Sequence, residues 1–318
     1  MTASPIHRDD VRPLVGDPWP LPAHGATRAR WSALAALGER DLALAKVVEP
    51  HHDAIAILAD LGGPLPSSDD IWAVWAAEPP FAVLTADRRD DTWTLTGRKA
   101  FCSGAALASR ALVTARTPDG PRLLAVHVDS EGITHDPDAP AWAGPGMSRA
   151  GTVTLAFDDV PAEPVGAPGA YTDRPGFWWG AIGIAAIWLG GARGVAATLE
   201  RAADRLDAHG LAHLGTVRAE IDSLELVLDA VARRADEDGL DAAGAERLAL
   251  VVRDRAGAVV ESVVTRVGRA LGPAPLAFDG EHAGRVADLQ VFVRQHHAER
   301  DAERLGSWTP GTTVTTDA

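Results

Sequence analysis

Hydrophobic residues recur at helical spacing towards both ends of the chain and alternate with polar residues in its middle third. Within residues 28–70, Trp31, Leu34 and Leu37 lie three residues apart, which is typical of one buried helix face. This pattern predicts a short helical unit with an interruption at Gly38.

A two-residue period marks the middle unit, residues 71–170. Breaks rich in Asp, Gly and Pro separate its apolar runs. Short strands at such regular spacing predict a small β-barrel or two stacked sheets. The candidate strands cover residues 81–86, 93–102, 111–115, 123–128 and 152–157.

Helical periodicity returns in residues 171–306 and predicts a bundle of four long helices. The first of them is apolar on all sides and rich in glycine, so we expect it at the centre of the bundle. Its apolar run, residues 177–192, is shorter than the roughly 20 residues of a membrane span. Proline-rich residues 1–27 predict an extended leader, and threonine-rich residues 307–318 predict a flexible tail. The predicted helices cover residues 177–199, 217–235, 245–271 and 280–305.

The composition favours a folded chain and argues against several classes of partner. Of the 318 residues, 46% are hydrophobic, which suffices for two or three packed units. A net charge of -14 argues against nucleic acid or an anionic membrane as a main partner. The single cysteine, Cys102, can form no disulfide within the chain, so we expect a reducing, cytoplasmic location. No group of residues has the spacing of a closed metal site, and we expect no metal.

One stretch of the middle unit, residues 93–104 (WTLTGRKAFCSG), carries the most specific pattern. It predicts two strands around a turn at Gly97, because glycine tolerates the positive φ of a tight turn. An aromatic residue, Phe101, and a hydroxyl residue, Ser103, come soon after the turn. The stretch resembles the segment W-x-L-x-G-x-K-x-aromatic-I/C-S/T in the middle domain of acyl-CoA dehydrogenases. A second resemblance to that family lies in WAGPGM, residues 142–147, which GTVTLAFDDV follows.

This resemblance, which spans residues 30–305, implies an α+β, mainly α fold. The family combines a helical N-terminal domain, a middle β-barrel-like domain and a C-terminal four-helix bundle. Residues 28–70 match only the last two helices of the first of these, so that domain is shortened here. Because the family's bundle also forms its subunit interface, the resemblance implies a homodimer, a homotetramer or a hetero-oligomer with a homologue.

The resemblance also implies FAD as the cofactor. Phe101 would pack against the isoalloxazine ring, since a flat π-system favours a flat neighbour. Ser103 would form a hydrogen bond near the reactive edge of that ring, and Cys102 would contribute backbone contacts. Glu78, in the tripeptide AEP, stands in what remains of the family's flavin-facing loop. An ordinary β-hairpin with Phe101 in its core is the alternative that the residues alone leave open.

The resemblance leaves several candidates for the catalytic base. Acyl-CoA dehydrogenases remove the substrate's α-proton with a carboxylate, whose pKa a dry pocket raises to suit the task. Counting along the last helix from Asp288 places His296 where the family's common glutamate lies, and imidazole titrates near neutrality. Glu299, about one turn further on, is a second candidate. The alternative is that a solvated helix face carries these side chains, namely His296, His297, Glu299 and Asp301.

Three functions follow from these observations. The first is a flavin-dependent oxidoreductase that desaturates an acyl thioester, such as an acyl-CoA, at its α,β bond. The second is a monooxygenase of the same superfamily that uses reduced flavin and oxygen, with His296 or His297 near the flavin. The third is a non-catalytic subunit or scaffold that pairs with a complete homologue. Leu211 stands where the family's R-x-x-F-G motif has the arginine that reaches the FAD diphosphate, so the adenine half of FAD lacks its usual anchor.

Overall fold

The computed structural model describes residues 4–90 and 92–308, which form a helical unit, a closed sheet and a helical bundle. The helices are α1 (Arg8–Val15), α2 (Thr27–Arg40), α3 (Leu42–Leu61), α4 (Ala170–Asp173), α5 (Pro175–Glu200), α6 (Ala208–Glu237), α7 (Ala242–Leu271), α8 (Ala274–Phe278), α9 (Gly280–Phe292) and α10 (Glu299–Gly306). The strands are β1 (Trp72–Trp75), β2 (Leu84–Arg89), β3 (Thr92–Cys102), β4 (Arg110–Thr117), β5 (Gly120–His127), β6 (Ile133–His135) and β7 (Val153–Val165). From residue 309 onward, the predicted flexible tail lies outside the described residues.

The strands form one sheet that closes on itself, which confirms the predicted barrel. β3 pairs antiparallel with β2 and β7, and β5 pairs antiparallel with β7 and β4. A parallel pair between Thr85 and Arg116 joins β2 to β4 and completes the ring. β1 extends the sheet beside β4, and β6 pairs with β7. Buried Leu95, Leu124 and Phe157 belong to the core that the barrel encloses.

The leader is not wholly extended, because residues 8–15 form α1. The carboxylate of Asp10 accepts the backbone N–H of His7 at 2.9 Å, which stabilises the start of this helix despite the nearby prolines. Val11 is fully buried, and α1 packs against α3. Trp19, further along the leader, stacks on His52 of α3 with ring centroids 3.9 Å apart.

The predicted break at Gly38 falls instead at Asp41, which separates α2 from α3. Asp41 caps α3, since its carboxylate accepts the N–H of Leu44 at 3.0 Å. Gly38 remains inside α2, where its missing side chain lets the helix approach α5. A Cβ at this position would lie 2.4 Å from the carbonyl oxygen of Ile187.

Helix α5 is the central helix of the bundle, as its all-round apolar pattern predicts. It packs against α2, α6, α7 and α9, and Trp188 and Ile182 are fully buried. Its length and composition would suit a membrane span, but 78% of its apolar window is buried inside the protein. Most of the apolar surface of α5 is therefore covered by the chain itself.

The fourth predicted helix, residues 280–305, is broken in the structure. α9 ends at Phe292, a 3-10 helix covers Val293–Gln295, and α10 starts at Glu299. The backbone of Ala298, just before α10, has a φ of 41°. The break changes the surroundings of His296 and Glu299, which the prediction placed on one continuous helix.

Candidate functional site

A bulge near the end of β3 turns Phe101 outward. The pairing of β3 with β7 shifts register between Lys99 and Cys102, and Phe101 has a φ of 59°. A positive φ is uncommon at a residue other than glycine and often marks a functional constraint. The Phe101 ring is 49% exposed and meets Phe81 edge to face, with ring centroids 6.2 Å apart. Phe101 and Phe81 thus form an exposed aromatic pair, and Phe101 does not lie in the barrel core.

Ser103 follows the bulge, next to strand β7. Its Oγ lies 2.9 Å from Oγ1 of Thr152, and its carbonyl accepts a hydrogen bond from Nε1 of buried Trp75 at 3.1 Å. Each hydroxyl retains capacity for a further hydrogen bond. Gly104, with a φ of 68°, lets Val47 of α3 pack closely, since a Cβ there would lie 3.3 Å from Cγ1 of Val47. The hydroxyl pair therefore lies next to the helical unit.

The side chain of Cys102 lies inside the barrel core. It is fully buried, and its Sγ donates to the carbonyl of Lys99 at 3.2 Å. Burial raises the pKa of Cys102 to about 12, so the thiol stays protonated and unreactive. Contact of Cys102 with a cofactor would have to come from its backbone.

A buried lysine anchors the loop that carries Glu78. Nζ of Lys99 donates to the carbonyl and to Oγ1 of Thr114 at 2.6 and 2.7 Å, and it lies 3.9 Å from Oε1 of Glu78. Burial lowers the pKa of Lys99 to about 8, and the attraction of Glu78 opposes this shift. The space among these groups is too small for a water molecule. Glu78 thus neutralises a buried cation and lines no cavity on that side.

The connection between β6 and β7 ties this region of the barrel to the helices. The backbone N–H of Met147 donates to Oδ1 of Asp288 on α9 at 2.5 Å. Arg149 pairs with Asp41, the residue that caps α3, at 2.6 Å. These two contacts fix the position of Thr152, and with it the hydroxyl pair, relative to α3 and α9.

His296 lies inside the helical bundle. Its ring is 6.3 Å from that of Trp188, and its Nδ1 would lie 3.0 Å from a Cβ at Gly257 on α7. Nε2 is 3.7 Å from Asp301, and the side chain is only 10% exposed. Burial lowers the pKa of His296, so the ring is neutral near pH 7. His296 therefore does not lie on a solvated helix face.

Glu299, the second predicted base, is exposed in the first turn of α10. α10 packs against α7 at the outside of the bundle. Within the described chain, no hydrogen bond, ion pair or ring contact joins Glu299 or His296 to Phe101, Ser103 or Glu78. The structure therefore groups the predicted cofactor residues on the barrel and leaves both predicted bases in the bundle.

Three charged side chains on one face of α3 were not among the predicted site residues. Lys46, Glu49 and Asp53 follow a helical spacing in an otherwise apolar segment, and this pattern is the signal that could have found them. Glu49 is 6% exposed, and burial, with the nearby Asp53, raises the pKa of Glu49 to about 8. Among residues 4–90 and 92–308, no group of three or more His, Cys, Asp or Glu side chains could hold a metal ion.

An open cleft of about 400 Å³ lies between α2, α5 and α9. Arg40, Arg201 and Arg285 line it together with Glu39 and Glu281. Arg285 is already held by Glu281 at 3.0 Å and by the backbone carbonyl of Glu39. The cleft includes none of the residues around Phe101.

The residues on the barrel fit the ring of a flavin better than they fit the diphosphate of FAD. Phe101 offers an exposed aromatic face and Ser103 a hydroxyl. Leu211, which stands in the family's arginine position, is 49% exposed in the first turn of α6 and has no hydrogen-bond donor for a phosphate.

No protein-family model matches the sequence, and no curated protein matches it. Solved structures do match the fold. The dibenzothiophene monooxygenase TdsC from Paenibacillus sp. A11-2, in complex with FMN and indole, has a TM-score of 0.78 and 21% identity, covering 95% of this chain and 89% of its own. KijD3, in complex with FMN and dTDP-3-amino-2,3,6-trideoxy-4-keto-3-methyl-D-glucose, has a TM-score of 0.77 and 20% identity, covering 97% and 89%.

Butyryl-CoA dehydrogenase from Megasphaera elsdenii has a TM-score of 0.75 and 18% identity, covering 86% of this chain and 79% of its own. At these identities the likeness establishes the fold. The chain has the acyl-CoA dehydrogenase fold that its motifs imply.

Proposed function

We propose that the protein is a flavin-dependent oxidoreductase that acts on a small molecule. The observation that carries this proposal is the exposed ring of Phe101 next to the hydroxyl pair of Ser103 and Thr152. An exposed aromatic ring gains free energy when a flat ring covers it, and a hydroxyl can donate to the edge of a flavin. TdsC and KijD3, which share the fold, were solved with FMN, and this supports the same cofactor class.

We propose FMN as the cofactor in place of FAD. FAD carries a diphosphate and an adenosine that need their own binding groups, whereas FMN ends in one phosphate. The leucine at position 211 removes the guanidinium that the family resemblance assigns to the FAD diphosphate. FMN has no diphosphate, so it needs no guanidinium group at position 211.

Oxygenation by reduced flavin and oxygen is the reaction that fits this site best. Desaturation needs a base next to the substrate's α-carbon, but His296 is packed against Trp188 and Glu299 is exposed on α10. Glu78, which the resemblance assigns to the flavin-facing loop, is committed to Lys99. In oxygenation one oxygen atom enters the substrate, and the other is reduced to water with two electrons from reduced flavin and two protons.

Desaturation of an acyl thioester is the second candidate, because butyryl-CoA dehydrogenase shares the fold. A non-catalytic subunit is the third, and it would need no flavin. Anaerobic incubation with butyryl-CoA separates the first two: bleaching of the bound flavin would favour desaturation. We expect no bleaching, and we expect oxygen consumption that depends on added reduced FMN and on substrate.

Flavin titration of the purified protein tests the cofactor site. We expect FMN to bind more tightly than FAD, and we expect Phe101→Ala to weaken FMN binding at least about tenfold, or roughly 1.4 kcal/mol, by removing the aromatic face. Phe278→Ala is the matched control, because Phe278 is 89% exposed on α8 and should leave FMN binding unchanged. A protein that binds neither flavin would contradict the proposal and favour the non-catalytic subunit.

A further inference from the structure

The charged row of α3, formed by Lys46, Glu49 and Asp53, points between helices. Nζ of Lys46 lies 5.4 Å from the ring centre of Phe292, which is 2% exposed on α9. Oδ1 of Asp53 would lie 3.0 Å from a Cβ at Gly180 on α5. The row therefore faces the inside of the helical layer, between α3, α5 and α9.

None of the three side chains has a hydrogen bond or a close ion pair within the described residues. Other charges nearby are committed elsewhere: Arg174 pairs with Asp60 at 2.6 Å, and Arg30 donates to the backbone carbonyl of Pro20 at 3.1 Å. A buried carboxyl group without a partner is destabilising, and native structures keep few such groups. Glu49 lacks a partner although the residue is only 6% exposed, and its carboxyl oxygens are not fully enclosed.

The opposite wall is an apolar stripe on α5. Phe177, Gly180, Ala181 and Ile184 follow the spacing of one helix face, and each keeps partial accessible surface although α5 is the central helix. Lys46 and Asp53 are also partly accessible, while Glu49 between them is buried. From this accessible surface on two facing helices we infer an interior space, polar on the α3 side and apolar on the α5 side.

The row lies close to the candidate flavin site. Val47, the neighbour of Lys46 in the chain, packs at Gly104, which directly follows Ser103. Two carboxyl groups stand against one ammonium group in the row. Burial raises the pKa of both carboxyl groups, so a cation beside them would stabilise their ionised forms. A molecule that fills the space is therefore expected to bring hydrogen-bond donors.

We propose that this interior space binds the substrate of the proposed oxidoreductase, and that the substrate carries a primary amine that donates to Glu49 and Asp53. A protonated amine has three N–H donors, which two neighbouring carboxyl groups can accept. The apolar part of the substrate packs against the α5 stripe. This inference rests on the proposed function, because only an oxidoreductase would use the amine as a substrate. The binding of the amine can nevertheless be measured without flavin.

Ligand-observed NMR on the flavin-free protein tests the site, with benzylamine and benzyl alcohol as probes of matched shape. We expect saturable binding of benzylamine in the millimolar range, at least about tenfold tighter than that of benzyl alcohol. Glu49→Gln and Asp53→Asn should each weaken benzylamine binding by about tenfold or more. Equal binding of the two probes, or binding that both substitutions leave unchanged, would overturn the proposal.

Glu246→Gln is the matched control, because Glu246 is equally buried but lies on α7, where it pairs with Arg304. It should leave benzylamine binding unchanged and lower the melting temperature, whereas Glu49→Gln should raise the melting temperature by about 1–3 °C. A lower melting temperature for Glu49→Gln would show that Glu49 has a stabilising partner and would also overturn the proposal. If FMN binds and benzylamine does not, the amine site fails while the proposed function stands.

Discussion

His51 connects α3 to the barrel through one hydrogen bond. Its Nδ1 accepts the backbone N–H of Trp72, the first residue of β1, at 3.2 Å, and the side chain is 6% exposed. Burial lowers the pKa of His51 to about 4. Because Nδ1 can accept only when it carries no proton, the folded protein holds His51 neutral.

This hydrogen bond predicts a loss of stability in acid. The pKa of His51 is about 6.5 in the unfolded chain and about 4 in the folded protein. The contribution of neutral His51 to the free energy of unfolding is therefore complete above pH 6.5 and is lost as the pH falls towards 4. We expect the free energy of unfolding to drop by about 3 kcal/mol more in the native protein than in His51→Asn, whose amide oxygen can still accept from Trp72. Denaturant unfolding between pH 7 and pH 4 measures this difference.

Parallel stability curves for the native protein and His51→Asn would contradict the assignment. Substitution of exposed His209 by Asn serves as the control and should leave the curve unchanged. Burial lowers the pKa of His52 to about 3, so His52 is neutral in the folded native protein over most of this pH range.

Single residues of the site differ in how well the sequence predicts them. Phe101 and Ser103 were found by resemblance, but the bulge that exposes the ring depends on the pairing of β3 with β7. His296 was placed by counting along a helix that the structure breaks, so its burial beside Trp188 could not be predicted. The burial of Glu49 depends on the helices that pack against α3, which the sequence does not show.

At the scale of elements, the connection from β6 to β7 is held to α9 by one side chain. Asp288 accepts the N–H of Met147, a residue that lies outside the strands and has a φ of 58°. Burial raises the pKa of Asp288, while this hydrogen bond lowers it. The contact joins the segment that resembles the family's W-x-x-x-G-M motif to the helix that follows the bundle core.

Asp288→Ala should therefore destabilise the protein by about 1–3 kcal/mol, because it leaves a partly buried N–H without an acceptor. Asp288→Asn keeps an oxygen at the same place and should cost less than half as much. Chemical denaturation of the two variants beside the native protein measures both values. Equal losses would show that charge, and not the acceptor, holds the connection.

Elements with a clear period were predicted closely, and elements set by tertiary contacts were not. β3 was expected over residues 93–102 and covers Thr92–Cys102, because its polar and apolar residues alternate. β1, with three of four residues buried, has no alternation and was missed. The break after α9 has no glycine or proline to signal it. Instead, Arg253 of α7 donates to the carbonyl of Gln295 at 2.8 Å, a contact that sequence patterns cannot show.

At the scale of the whole molecule, α3 joins the bundle to the barrel. Its first half, including Leu42 and Val48, belongs to the core of the bundle. Its second half, including Ile57 and Leu58, packs with Trp72 and with residues of β4, β5 and β7 in a separate cluster. The sequence predicted the barrel and the bundle. It could not show that α3 contributes to the cores of both, because this depends on which face each turn of α3 presents to its neighbours.

Since α3 belongs to both cores, we expect the barrel and the bundle to unfold in a single calorimetric transition. Ile57→Ala, in the cluster that faces the barrel, should cost about 2–4 kcal/mol and lower the temperature of the whole transition. Val263→Ala removes a buried side chain from the bundle core alone and should shift the same single peak. Two peaks, one sensitive to Ile57→Ala and the other to Val263→Ala, would show that barrel and bundle unfold separately and that α3 does not couple them.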